Sequence, residues 1–450
     1  MLRKIGRLVI SHRLAWGAVI LCLAAMGAAL YVKRSTWLPY YEADFAVWPP
    51  VLVISSDDWG DVLSSRESPA DLDDLAAVLR RFRDRYGNHP VVTAYVNPAK
   101  PDFARIAESG FKEYSWRFRY DDEPEMVEKW KSLSAEGLVE MQFHGREHVN
   151  VALWLAALRD DVPGFREQFR LGRIPYVHDA VYQSRLALDK RFGFLFRSYI
   201  DATMDPPRSL PLDVQAEMVR SGVELMREHF GAAPSVAVPP GHVWDVNTLE
   251  AYRAGGIEFF EVPEMPVTAV GRYLERIANA GMVRWQSRPQ GVGALIRNCI
   301  FEPGWQEANR LQAAIAARGA AAKARELMSL GIPVVVGTHA VHYTGDVRKR
   351  DANLAGLATL IDEVQRAYPD VAFLSASQLA AYMYDVKAQP ARPIPFRKVA
   401  LTQFGRIEKA MRGMLLHERF QAGVFVLGAA LAWALLASLL RLGSRRPRRR

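Results

Sequence analysis

Asp57 and Asp58 stand side by side where an apolar run ends, in the stretch Val51-Leu52-Val53-Ile54-Ser55-Ser56-Asp57-Asp58-Trp59-Gly60. Such a run, closed by small hydroxyl residues, carboxylates and a glycine, reads as a buried strand whose C-terminal end opens into a loop. Side chains alternate along a strand, so the two carboxylates are free to do different jobs: one binding a metal, the other moving a proton. An Asx turn that caps the next helix is the plain alternative. Further along, His144-Gly145-Arg146-Glu147-His148 sets two imidazoles four residues apart at another strand end. Neutral imidazole is a good Zn²⁺ ligand. Two histidines and one carboxylate make a three-ligand set with positions left for water and substrate. An ion held so lowers the pKa of its water towards ~7 and polarises a carbonyl. The remaining carboxylate then takes the water's proton. Ferrous oxygenases use a similar trio, with the acid close to the first histidine in sequence. That spacing is missing here.

Strands must hold these residues. After the first, the hydrophobic pattern predicts strands at 91–96, 139–143, 235–238, 257–262, 294–301, 333–337 and 371–374. Helices are predicted over 70–86, 124–136, 212–230, 248–254, 306–330 (with a break at Gly319) and 354–368. Residues 153–159 begin a further helical stretch, and 160–205 carry aromatic and basic residues without a firm period, which suggests an insertion. Strands alternating with helices argue a parallel α/β architecture. About seven or eight such units make a (β/α) barrel, whose active sites lie at strand C-terminal ends, where all the motif residues fall. An open doubly wound sheet would want a Gly-rich phosphate loop after the first strand, and there is none.

At 450 residues the chain has ample apolar content for a large core, and its net charge is +9. That charge is misleading. Arg3, Lys4, Arg7 and Arg13 precede any acid, and six arginines crowd residues 441–450. Without those ten, 48 cations face 49 acids, so the basicity sits on the two tails and not on a nucleic-acid face. Cys22 and Cys299 lie far apart and give no disulfide framework. Residues 14–32 and 422–440 are almost uncharged and long enough to span a bilayer. A signal peptide is the rival reading of the first, but Lys33-Arg34 follows it in place of a cleavage site. Cations outside both spans put both termini in the cytoplasm and the body on the far side of the plasma (inner) membrane, periplasmic in a Gram-negative cell. The expected organisation is thus a cytoplasmic start and anchor at 1–34, an extracytoplasmic domain at 35–387, a Pro-rich linker and amphipathic juxtamembrane helix at 388–420, and a second span with its Arg-rich tail at 421–450.

Taken in order, Asp57-Asp58, His144-x-x-x-His148, the strand end Pro239-Pro240-Gly241 and the late Val336-Gly337-Thr338-His339 resemble the polysaccharide deacetylases of the NodB-homology group, carbohydrate esterase family 4. The resemblance covers roughly residues 50 to 380. It implies a distorted (β/α) barrel and metal-dependent removal of acetyl groups from sugars. By position, Asp57 would be the general base, Asp58, His144 and His148 the ligands of Zn²⁺ or another divalent metal, and His339 the general acid. The chain departs from the family in its third motif. Ala237-Val238-Pro239-Pro240-Gly241 lacks the arginine that normally braces the base, a part Arg146 could take from another direction. Pro240 replaces the aromatic residue whose N–H serves the oxyanion, leaving Gly241 or His242 to supply a donor. The usual Asp-x-x-Asp-Trp stretch is not evident. The chain reads as a divergent, membrane-anchored branch.

Other residues are candidates for substrate contact: Trp59 and Trp305 for stacking on sugar rings, and Asp245, Glu302 and His342 near the motif ends. Each has a plain counterpart as core aromatic, helix cap or loop residue. The expected substrate is an N-acetylated amino sugar, or an O-acetyl ester, in a cell-envelope or exported polysaccharide. The expected partners are that acetylated polysaccharide, the lipid bilayer and polysaccharide synthesis or export proteins, without nucleic acid. An inactive glycan-binding or export scaffold is one alternative. A glycoside hydrolase on the same barrel, using Glu147 and Glu302, is another.

Overall fold

The computed structural model describes residues 47–385, apart from 61–66, 177–178, 265–266, 271–272, 277–282, 286 and 305–309. Nine strands form one sheet: β1 (Val51–Trp59), β2 (Val92–Val96), β3 (Val139–Phe143), β4 (Val236–Ala237), β5 (Phe259–Pro263), β6 (Gly293–Arg297), β7 (Cys299–Ile300), β8 (Val334–His339) and β9 (Ala372–Phe373). Every pairing in it is parallel. The order β6-β5-β4-β3-β2-β1-β8-β7 curls the sheet round, because β6 and β7 are separated in sequence by Asn298 alone. Asn298 pins that corner. Its amide donates to the Pro333 carbonyl at 2.9 Å and accepts from Val335 N–H at 3.1 Å. Strand β9 pairs with the first residues of β1 before β2 takes over at Ile54, which distorts the barrel. The expected distorted (β/α) barrel is the fold.

Helices lie between the strands: α1 (Pro69–Leu79), α2 (Pro124–Ala135), α3 (Val151–Arg159), α4 (Leu212–Leu225), α5 (Val246–Ala254), α6 (Arg310–Ser329), α7 (Val347–Ala367) and α8 (Ala376–Tyr384). Strands covered on both faces read as continuous apolar runs, as Val51–Ile54 and Val334–Val336 do, and all of those side chains are buried. Each such side chain contributes roughly 1.5–3 kcal/mol by leaving water. The irregular region after β3 forms a satellite core of its own around Trp154, Phe165, Phe169 and Phe192.

Three helix boundaries differ from the sequence pattern. The first helix ends at Leu79 and not near 86, because the Asp84 carboxylate accepts from the backbone N–H groups of Tyr86 and Asn88 and holds a turn there. Helix α7 starts at Val347 and not at 354, capped by Asp346, whose side chain accepts from Lys349 N–H. Helix α6 runs unbroken through Gly319, carried by its alanines. Among the described residues no helix is long and apolar enough to cross a membrane. The expected spans at 14–32 and 422–440, the linker and juxtamembrane helix at 388–420, and Trp305 lie outside the described residues.

Candidate metal centre

The chemistry-bearing residues meet at the mouth formed by the strand C-terminal ends. On β1 the register slips: Ser56 pairs with Ala94 but Trp59 with Val96, so one extra residue is taken up across Asp57 and Asp58. Such a bulge re-aims side chains. Asp58 also holds a left-handed φ of +65°, a strain characteristic of functional sites in a non-glycine residue. Both carboxylates end up buried beside their partners.

Asp58, His144 and His148 each bring a ligand atom to within 4.8 Å of the other two. His144 Nε2 is 3.0 Å from Asp58 Oδ1, and His148 Nε2 is 3.6 Å from the same oxygen. His144 Nδ1 lies 2.9 Å from the Val238 carbonyl. A carbonyl only accepts, so the Nδ1 proton points there, and a neutral ring turns its Nε2 lone pair on Asp58. Two acceptors at that separation repel unless a cation stands between them, and main-chain anchoring of the far nitrogen is the usual support of a metal-ligating histidine. Burial pushes His148 down to about 4, only partly opposed by Asp58, so that ring is neutral. Burial disfavours the charge on Asp58, yet the imidazoles around it, the charged His339 included, hold its pKa well below the usual carboxylate range. The donor set fits a divalent cation. Gly145, at φ +81°, makes the turn between the two histidines, and a side chain there would meet Pro240 Cγ at 2.6 Å. The second and third motifs are packed against each other.

Asp57 is gripped by a residue that the motif pattern did not single out. Arg297, at the end of β6, donates from both terminal nitrogens to the two Asp57 oxygens at 2.5 and 2.6 Å. Its Nε donates to Glu261 on β5 at 2.7 Å, and Glu261 in turn accepts from Ser55 Oγ at 3.0 Å. All of these are buried. Burial raises the Asp57 pKa, but Arg297, with His144 and His339, overrides it and holds the group down at about 2. The missing brace is therefore present, arriving from a different strand. Charged residues inside the apolar runs Leu295-Ile296-Arg297 and Phe259-Phe260-Glu261 were the sequence signal for it.

His339, paired in register with Asp57 across β1 and β8, carries its Nδ1 2.9 Å from Glu302 Oε1. Burial works against its charge, but Glu302, Asp58 and Asp57 raise its pKa to about 9. His242 sits in a strained turn, φ +55°, just after Gly241 at +61°. Its Nδ1 is buried without a partner. Burial lowers its pKa to about 3, against the pull of Asp57 and with Arg297, His144 and His339 close enough to bear on it. Its backbone N–H donates to the Pro239 carbonyl at 2.8 Å and is not available to an oxyanion.

Four expectations are corrected. Arg146 does not brace the base: it pairs with Glu147 at 2.6 Å, donates to Ser221 and lies over the Trp116 ring. Trp59 offers no face to a sugar, since it is fully buried, edge-on to Trp130, with Nε1–H donated to Ser56 Oγ. Asp245 caps α5 through the Thr248 N–H. His342 is wholly buried and does not line an open cleft.

No protein-family model matches the chain, and no curated protein matches it in sequence. Solved structures do. A candidate polysaccharide deacetylase from Mycobacterium smegmatis aligns over 79% of this chain and 100% of its own, at 14% identity and a TM-score of 0.39. The Xyl-CE4 domain of a multidomain xylanase from the hindgut metagenome of Trinervitermes trinervoides aligns over 76% and 94%, at 9% identity and 0.35. The PuuE allantoinase aligns over 77% and 93%, at 10% identity and 0.41. At identities this low the likeness says nothing of the reaction.

Proposed function

We propose that this protein is a metal-dependent hydrolase that removes acetyl groups from an acetylated polysaccharide, with an N-acetyl amino sugar as its substrate unit. One observation carries the reading. A two-histidine, one-carboxylate donor set lies beside a carboxylate clamped by arginine, with the His339–Glu302 pair at the neighbouring strand ends. Asp58, His144 and His148 would hold a divalent cation such as Zn²⁺, which would supply Lewis-acid polarisation to an acyl carbonyl and a water. Asp57 accepts the water's proton, its oxygens oriented by Arg297. His339 delivers a proton to the departing amine. The neutral His242 ring donates an N–H to the oxyanion in place of the backbone N–H that Pro240 lacks. With the anchors expected at 14–32 and 422–440, the reaction takes place outside the cytoplasm on a cell-envelope or exported glycan. Acetate release from N-acetylated oligosaccharides tests this, and a metal-loaded protein that binds them without release would favour the scaffold alternative. The glycosidase alternative loses support because Glu147 is buried against Arg146 and cannot face Glu302 across a cleft.

Two outcomes follow. His242→Ala is expected to lower kcat by about 10²–10³-fold with metal content unchanged. His242→Asn, which restores an N–H donor, should recover part of the loss. A wild-type rate in His242→Ala would remove the oxyanion assignment. The second concerns pH. His339 is raised, so its proton is fully present below about 6.5 and is lost as pH rises through about 9. Acetate release should fall over that alkaline range, and the stability gained from the Glu302 pair should fade with it. In His339→Gln, a pH–rate profile that still bends near 9 would show that another group is responsible.

A further inference from the structure

Beside the metal centre lies a second set of donors. Glu302, His339 and His342 bring one ligand atom each to within 4.8 Å of one another, as Asp58, His144 and His148 do. They come from the segment after β7, the end of β8 and the short turn Ala340–His342. The two rings meet nearly edge-on, centroids 6.3 Å apart at 79°, and do not stack. The turn is rigidly built. Asn353 Nδ2 donates to the His342 carbonyl at 3.1 Å, and Thr344 Oγ1 donates to the Ala340 carbonyl at 3.0 Å. A buried imidazole on a turn fixed in this way, close to a carboxylate and a second imidazole, is placed as a metal-ligating histidine is.

We propose that Glu302, His339 and His342 form a second site for a zinc-like divalent cation, weaker than the first, and that filling it switches the enzyme off. Two imidazoles and one carboxylate are a donor set that catalytic zinc sites use. The site is the weaker one because its carboxylate, Glu302, is partly open to water, whereas Asp58 is buried, and an ion there takes the His339 nitrogen that faces Glu302 in place of a proton. That Nδ1 proton leaves to solvent and its lone pair goes to the metal, so the ring loses its imidazolium charge and the N–H left on Nε2 is a weaker acid towards the departing amine. The inhibition rests on the reading of His339 as proton donor. The second ion does not.

Full-length protein carrying one equivalent of zinc is titrated further, bound metal is counted by native mass spectrometry, and acetate release is followed on the same samples. A second equivalent is expected, with release falling about 10²-fold as it fills. His342→Gln should keep the first ion and the basal rate while losing both the second ion and the inhibition. Glu302→Gln, at a partly exposed position, should also lose the second ion, and Asp58→Asn should lose the first and keep the second. A single equivalent in wild type at saturating zinc overturns the site, as does a second equivalent that survives in both His342→Gln and Glu302→Gln. A second ion with undiminished release overturns the inhibition. No release at any metal load, with the second ion still lost in His342→Gln, supports the site and removes the deacetylase reading instead.

Discussion

Asp57→Asn is expected to cut acetate release by about 10³-fold while the protein keeps its metal. The two neighbouring carboxylates have separate surroundings. Asp58 faces His144 and His148, whereas both oxygens of Asp57 face Arg297. Replacing Asp57 by its amide therefore leaves the donor set of Asp58 intact and removes only the anion that takes up a proton. Asparagine keeps the shape and one acceptor for Arg297, so the barrel should remain folded. Metal content per chain and the rate, measured on the same preparation, separate the two roles. A variant with near wild-type release would show that Asp57 is not the base. One that loses its metal would show that the carboxylate roles are reversed.

Arg297→Met should unfold the barrel most readily of any change at the site. The guanidinium lies between two buried carboxylates, Asp57 and Glu261, and touches both. Removing it strands two negative charges in the core, at a cost of roughly 3–5 kcal/mol. Burial already raises the Glu261 pKa, with Arg297 as the main opposing charge. Without the arginine both acids are driven towards their protonated forms, so the base is lost along with the stability. The check is the urea midpoint of the variant beside Asp57→Asn/Arg297→Met. Taking away one of the stranded charges should make the double variant less unstable than the two single losses added together. Additive losses would mean that Arg297 and Asp57 act independently, contrary to the bidentate geometry.

The candidate ligands Asp58 and His144 are legible because each sits where an apolar run ends, and a parallel barrel gathers such ends at one mouth. Asp57-Asp58 and His144 need only that rule and the spacing between them, whereas His339 comes from the resemblance of the motif order. Arg297 was not legible in this way. It comes 240 residues after Asp57, and only the closure of the sheet through β6 and β7 brings the two together. The pattern ends the first strand at the carboxylates, whereas the bulge lets it continue to Trp59 and turns that ring inward. Asp84 and Asp346 moved helix ends by side-chain hydrogen bonds that hydrophobic period does not register. Asp245 and Arg146 show the same limit: a polar residue near a motif is as readily a cap or a buried ion-pair member as a ligand, and only its partners decide.

The most direct test of the account is acetate release from an N-acetylated glucosamine oligosaccharide by the full-length protein, measured as purified, after chelation and after zinc is restored. The account predicts release, its loss on chelation, and its return as about one equivalent of metal rebinds per chain. Release that persists through chelation, or none from protein holding that equivalent, would contradict it.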